Sequence, residues 1–337
     1  MKNKTLIFIF WTLLCGLLLA AVEDYLKVWG EGRLPANVIY SGLKNAPEVL
    51  IFGNSRAKAG IIPEVLRPAF RKSGCRNDRI YNIAMGGTKI SVQYFVLKKL
   101  IGTGWKPKYL IYGFVDNELT QTDIANDYSL AEVIQWRNLA EVLEAGGFSS
   151  KERDDDIDLV FRKLSRVWRY REIIRDVLIK QWLLHQNVAN AKTDMGQDGF
   201  QDYRDIVRKT TVKLLKVSEG ATLTELRQDN KAWDFKPEGT YLDKVVQLCS
   251  ANNIKLLFVH MPVTGLHRKD ISGECAWCGG YSNSLLGYLK KKGVVLLDLK
   301  DAVPDEDLPD TMHLSLEGAG KFSKILAQKI SELGIVP

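Results

Sequence analysis

Apolar residues fall along this chain in blocks, and the blocks are of three kinds. One is an uncharged run from Leu6 to Val22, preceded by Lys2 and Lys4 and followed by Glu23 and Asp24. A second kind is short and contiguous: Glu48–Gly53, Arg79–Asn82, Lys108–Phe114, Ile254–Val259 and Val294–Asp298. Contiguous apolar residues, in the first run ending at Gly53, are the pattern of strands buried on both faces of a parallel sheet. The third kind is apolar at helical spacing and predicts helices over Pro63–Arg71, Ile90–Leu100, Tyr241–Ala251, Leu285–Lys292 and Leu316–Leu333. Strand and helix patterns take turns, which predicts an α/β fold: an open parallel sheet flanked by helices on both faces. Tyr25 to Pro47 reads as a linker, because Gly30, Gly32 and Pro35 break a long helix. The stretch of about 124–236 loses the alternation, is largely helical in pattern, and reads as an insertion capping the sheet. The expected organisation is thus an N-terminal anchor (1–24), a juxtamembrane linker (25–47) and an α/β domain (48–337) carrying the insertion.

The anchor follows from length and flanks. At 1.5 Å per residue, Leu6 to Val22 reaches ~26 Å, within the range of helices that cross a ~30 Å hydrocarbon core. Basic residues before it and acidic residues after it predict a cytoplasmic N-terminus and an exported remainder. A cleavable signal peptide is the competing reading. It needs small residues one and three positions before the cut, and a cut after Ala20 or Ala21 puts Leu18 or Leu19 at the third. The expectation is a single-pass protein of the inner or plasma membrane, its bulk extracytoplasmic, in the periplasm.

Composition narrows the class without deciding it. The chain has 337 residues, 46% hydrophobic and 26% charged, as in folded domains, and its 27 glycines and 10 prolines show no collagen-like period. A net charge of +7 suits an anionic surface such as phospholipid headgroups or an acidic glycan. No zinc-finger spacing, RNA-recognition signature or basic tail accompanies it, so nucleic acid is not an expected partner. Within the insertion, Val160–Leu184 interleaves Arg162, Lys163, Arg166, Arg169, Arg171, Arg175 and Lys180 with Trp168 and Trp182. That is either a membrane-surface or glycan-facing helix, or an ordinary solvated basic face. Of five cysteines, Cys275 and Cys278 form the one C-x-x-C, in a glycine-flanked stretch read as a loop. A local disulfide in an oxidising compartment explains the pair more simply than a redox motif. No His, Cys, Asp or Glu cluster has metal-ligand spacing, and no cofactor is expected.

Open α/β sheets bind ligands beyond the carboxyl ends of their strands. The segments there are Gly53-Asn54-Ser55-Arg56, Asn82 to Thr88 (with Gly86 and Gly87), and Val115-Asp116-Asn117-Glu118. Just before the last helix stands Asp310-Thr311-Met312-His313. Ser55 can be a nucleophile if a base takes its proton; His313 is the candidate base, with Asp310 to orient it. The N–H groups of Ser55 and Gly87 and the Asn117 amide are candidates for an oxyanion hole, glycine permitting close approach of backbone to substrate. Arg56 and His260 border this edge and are candidate substrate contacts, although an ion pair for the one and a strand-end hydrogen bond for the other explain them equally. His185 and His267 are expected at the surface.

The order Ser, Gly, Asn, Asp-x-x-His resembles the SGNH (GDSL-like) hydrolase superfamily. Gly53-Asn54-Ser55 stands where the family has Gly-Asp-Ser, Gly87 matches its second glycine, and Asp310-x-x-His313 matches its last block. The third block departs: Gly113-Phe114-Val115-Asp116-Asn117 replaces Gly-x-Asn-Asp. The resemblance covers about Val49–Asn117 and Tyr241–Leu333 and implies a flavodoxin-like three-layer fold. Membrane-anchored members of this kind modify cell-surface polysaccharides beside a membrane-bound O-acyltransferase. The resemblance therefore implies an esterase or O-acyltransferase acting on acyl esters of a glycan through an acyl-serine. The alternative is a catalytically idle accessory or scaffold protein of a polysaccharide modification or export system.

Overall fold

The computed structural model of this chain describes residues 2–31, 45–71, 74–75, 79–86, 88–115, 119, 134–141, 160–168, 171, 240–265, 276–310 and 312–334. The chain divides into two compact units, Met1–Ser41 with Asp123–Lys192, and Gly42–Thr122 with Thr193–Pro337. The stretch read as one insertion, 124–236, is thus shared between them.

Among the described residues the second unit has five strands: β1 (Val49–Gly53), β2 (Ile80–Asn82), β3 (Tyr109–Phe114), β4 (Lys255–His260) and β5 (Val295–Asp298). They pair in the order β2-β1-β3-β4-β5, every pair parallel. Each lies where contiguous apolar residues predicted it, and β1, β2 and β3 are buried throughout. The chain order reverses direction between β1 and β3, and such a switch point leaves a crevice at the strands' carboxyl ends.

Helices of this unit are α2 (Ser55–Gly60), α3 (Pro63–Arg71), α4 (Ile90–Gly102), α5 (Tyr241–Ala251), α6 (Ala276–Lys291) and α7 (Leu316–Glu332). One face of the sheet, with Ile51, Ile111, Val259 and Leu297, packs on Ala57, Leu66, Phe70, Phe322 and Leu326 of α2, α3 and α7. Tyr112, Phe114 and Phe258 pack together from the alternate positions of β3 and β4. Helices α4, α5 and α6 pack on β1, β4 and β5, with Tyr94 and Phe95 of α4 against Tyr241 of α5. Local chemistry sets several helix starts. Pro63 opens α3, where a missing N–H costs nothing, and the Thr240 and Ser315 hydroxyls cap α5 and α7.

One predicted helix of this unit differs from its expected bounds by more than two residues. Helix α6 begins at Ala276, not Leu285, so Cys278 stands in a helix and not in a loop. Gly279 and Gly280 lie inside this helix, where glycine costs only ~1 kcal/mol relative to alanine. Cys275 lies outside the described residues, so the expected disulfide does too.

The first unit contains α1, one helix over Lys2–Glu31. It runs past Val22 into the stretch read as linker, since no breaker occurs between Glu23 and Trp29. Its described side chains run from Phe10 to Leu26, and Phe10, Trp11, Leu13, Leu17, Leu18 and Leu19 are exposed. Among the described residues no helix is long and apolar enough to cross a membrane. Glu23 caps the helical turn that begins at Arg166. Its carboxylate accepts from Ser165 Oγ (2.6 Å), Arg166 N–H (2.8 Å) and Val167 N–H (3.3 Å), where an anion meets unpaired amides at a helix start. The basic segment expected as one helix from Val160 is interrupted there, at Ser165.

Candidate active site

The site begins with the sharp turn that ends β1. Gly53 has φ +138°, and a Cβ there would lie 2.3 Å from Gly113 O and 2.4 Å from Ala57 Cβ. Only glycine fits, because both the dihedral and the close approach of α2 exclude a side chain. Gly113, its register partner on β3, is constrained alike: its Cβ would meet Ala57 Cβ at 2.8 Å and Met261 Sδ at 2.9 Å. The two glycines let α2 rest on the carboxyl ends of β1 and β3.

Asn54 caps α2, its Oδ1 accepting from Arg56 N–H at 2.8 Å. Ser55 is therefore the first residue of the helix, and its own N–H belongs to the turn without intrahelical acceptors. The other end of the helix is tied from two sides. Asn82 Nδ2 donates to Ala57 O (3.0 Å) and Ile61 O (2.8 Å), while its Oδ1 accepts from Ala84 N–H (3.1 Å). Ser323 Oγ of α7 donates to Gly60 O (3.2 Å) and accepts from Ile62 N–H (2.9 Å).

His313 arrives from the loop before α7. Asp310 Oδ1 accepts from the backbone N–H of Met312 (3.0 Å) and His313 (2.6 Å), which fixes the carboxylate on its own turn. Its Oδ2 lies 2.7 Å from His313 Nδ1. His313 Nε2 lies 2.8 Å from Ser55 Oγ, across 258 residues of sequence. A carboxylate only accepts, so Nδ1 carries the ring proton and Nε2 is left to accept from the serine hydroxyl. Burial pushes the Asp310 carboxyl up. The ring and backbone hydrogen bonds of His313, its charge and the Met312 N–H outweigh this and hold the group below its ordinary value. The result is a relay in which Ser55 can be deprotonated and the imidazolium so formed is balanced by a fixed charge.

Three of the sequence candidates are thereby brought together: Ser55, His313 and Asp310. Gly87 and Asn117 lie outside the described residues, as do His185 and His267. Arg56 is buried beside the serine. His260 ends β4 and is buried; its Nδ1 donates to Asp298 Oδ1 at 3.2 Å and its ring stacks on Phe114 at 5.0 Å. The hydrogen bond from His260 holds Asp298 well below the usual carboxylate range. Among the described residues no group of His, Cys, Asp and Glu is arranged to hold a metal ion.

Sequence reasoning missed Gln93. It is buried in α4 and hydrogen-bonded to both backbone polar atoms of Gly53, accepting from the N–H (2.9 Å) and donating to the carbonyl (2.7 Å). The available signal was one amide inside the apolar run Ile90–Leu100. Ser323 was missed too, and Asn82 was named only as the start of the segment after its strand, without a role.

A sequence model of an uncharacterised protein family matches residues 203–334, a stretch that holds Asp310 and His313 but not Ser55. No curated protein matches the chain.

Proposed function

We propose that the chain is a serine esterase or O-acyltransferase of the SGNH (GDSL-like) type, tethered at a membrane through α1 and acting on acyl esters of a cell-surface glycan. One observation carries the catalytic part: the hydrogen-bonded line Ser55 Oγ, His313 Nε2 and Nδ1, Asp310 Oδ2, with heavy-atom distances of 2.8 and 2.7 Å. Its place at the switch point between β1 and β3 supports it. So do the order of its parts along the chain and the glycines Gly53 and Gly113 beneath it.

In this reading Ser55 Oγ attacks the acyl carbonyl as its proton passes to His313 Nε2. Charge builds on the carbonyl oxygen, and the Ser55 N–H, Gly87 and Asn117 are the proposed donors to it. The tetrahedral intermediate collapses to an acyl-serine, and His313 returns the proton to the departing alcohol oxygen. Water or a sugar hydroxyl then attacks the acyl-serine with His313 again as base, giving an acid or a transferred ester. The chain's positive charge suits an anionic polymer or membrane surface, and a membrane-bound O-acyltransferase is the proposed source of acyl groups.

The test uses the detergent-solubilised full chain with p-nitrophenyl acetate, beside Ser55→Ala and His313→Ala. Turnover, or an acetyl adduct seen by intact-mass spectrometry, should need both residues. Equal behaviour of three folded proteins would sink the proposal and leave the idle-scaffold reading in front.

A further inference from the structure

We infer that Gln93 is a positioning residue for this site: its carboxamide locks the turn after β1 to the loop after β2 and so sets the attitude of Ser55. The inference rests on the serine-hydrolase reading above and extends it to a residue from the opposite side of the sheet.

The bonds form a closed set. Gln93 Oε1 accepts from Gly53 N–H at 2.9 Å, and Nε2 donates to Gly53 O at 2.7 Å. The same Nε2 lies 3.3 Å from Thr88 Oγ1, and Thr88 Oγ1 donates to Met85 O at 2.8 Å. Met85 N–H in turn donates to Gly53 O at 2.9 Å. One side chain thus holds both polar atoms of the residue two before the nucleophile and reaches the loop that follows β2. Gln93 is 1% exposed, so these bonds face no competition from water.

The geometry explains why such a clasp is needed. Gly53 occupies φ +138°, a conformation open to glycine, and a glycine peptide is also the freest to rotate unless its polar atoms are held. Its N–H and carbonyl lie at the end of the ladder, where strand pairing stops, and a rotation of that peptide would swing Asn54 and Ser55 with it. Ser55 must present Oγ to His313 and its N–H to a developing oxyanion at once. Both requirements are lost with a small tilt of the turn. Substrate binding need not change, because Gln93 is buried and its hydrogen bonds go to the Gly53 backbone and Thr88.

The experiment measures kcat and KM for p-nitrophenyl acetate on the full chain carrying Gln93→Met or Gln93→Glu, with wild type and Ser55→Ala alongside. Methionine keeps the shape and removes every bond; glutamate keeps the acceptor for Gly53 N–H and removes the donor. Misplacement of reacting groups by about an ångström costs on the order of 100-fold in rate. We expect kcat to fall by roughly 10- to 100-fold in both variants, with KM within about twofold of wild type, in proteins that melt cooperatively. If Gln93→Met does not fold, Gln93→Glu decides alone. Wild-type kcat in a folded variant overturns the inference while leaving the hydrolase reading intact, and so does a rise in KM at constant kcat. Absence of Ser55-dependent turnover in the wild type removes the hydrolase reading itself, and the inference with it.

Discussion

Replacing Gly53 by alanine is the sharpest test of how the nucleophile is placed. The new Cβ would lie 2.3 Å from Gly113 O and 2.4 Å from Ala57 Cβ, both well inside van der Waals contact. Neither neighbour is the movable end of a long side chain. Gly113 O is backbone of the adjacent strand, and Ala57 Cβ is fixed to α2. Relief therefore requires β1, β3 or α2 to shift by about 1 Å, an overpacking that costs ~1–3 kcal/mol. The dihedral adds to it, since φ +138° is disfavoured for alanine by a further ~1–3 kcal/mol. The sum, ~2–6 kcal/mol, is a large part of the ~5–15 kcal/mol that holds a typical domain. Urea unfolding followed by tryptophan fluorescence should show a lowered midpoint at unchanged slope. A folded Gly53→Ala protein within ~1 kcal/mol of wild type would refute the reasoning, because one or both contacts would then be relieved without cost.

Other expectations follow from individual contacts. Asp310→Asn should lower kcat by about 10³- to 10⁴-fold, since the amide no longer fixes the productive tautomer of His313; a loss under tenfold would remove Asp310 from the relay. The folded Asp310 carboxyl titrates below its free value of 3.8. Its bonds therefore stabilise the folded chain above that pH and cease to do so as pH falls through the lower folded value. Urea midpoints of wild type and Asp310→Asn should accordingly differ at neutral pH and converge in acid. Ser323→Ala should cost ~1–3 kcal/mol, because Gly60 O and Ile62 N–H lose their partner, and an unchanged melt would contradict the clamp. Burial pushes the Cys249 thiol up to about 12 and also raises Cys75. Neither should alkylate with iodoacetamide at pH 8 until urea unfolds the protein, as peptide mass mapping would show.

How much of this was legible in the sequence depends on the range of the interaction that carries it. The strands stood out because burial on both faces makes their residues apolar in unbroken runs, as in Val49–Gly53 and Tyr109–Phe114. Ser55, Asp310 and His313 stood out because they follow strands or precede a helix at fixed short spacings. Helix α2 did not, since six residues are too few to show a period. The continuation of α1 to Glu31 was masked by the weight given to Gly30, one residue from the helix end. Gln93, Asn82 and Ser323 were illegible for a common reason. Each serves backbone atoms that are distant in sequence, by 40, 25 and 263 residues, and such a partner leaves no local pattern.

Those distant partners explain how groups 258 residues apart meet at hydrogen-bond distance. Helix α2 is short enough to be held at both ends by the same downstream segment. At its start Ser55 meets His313; at its end Gly60 lies so close to Leu314 that an added Cβ would come within 3.2 Å of it. About two turns into α7, Ser323 binds both Gly60 O and Ile62 N–H. The glycine and alanine positions Gly53, Ala57, Gly60 and Gly113 remove the side chains that would keep α2 away from the sheet and from α7. The alignment of nucleophile and base is therefore a property of how α2 packs, not of the two residues alone. Damage to that packing, at Gly60 or Ser323, should reach catalysis without touching Ser55, His313 or Asp310.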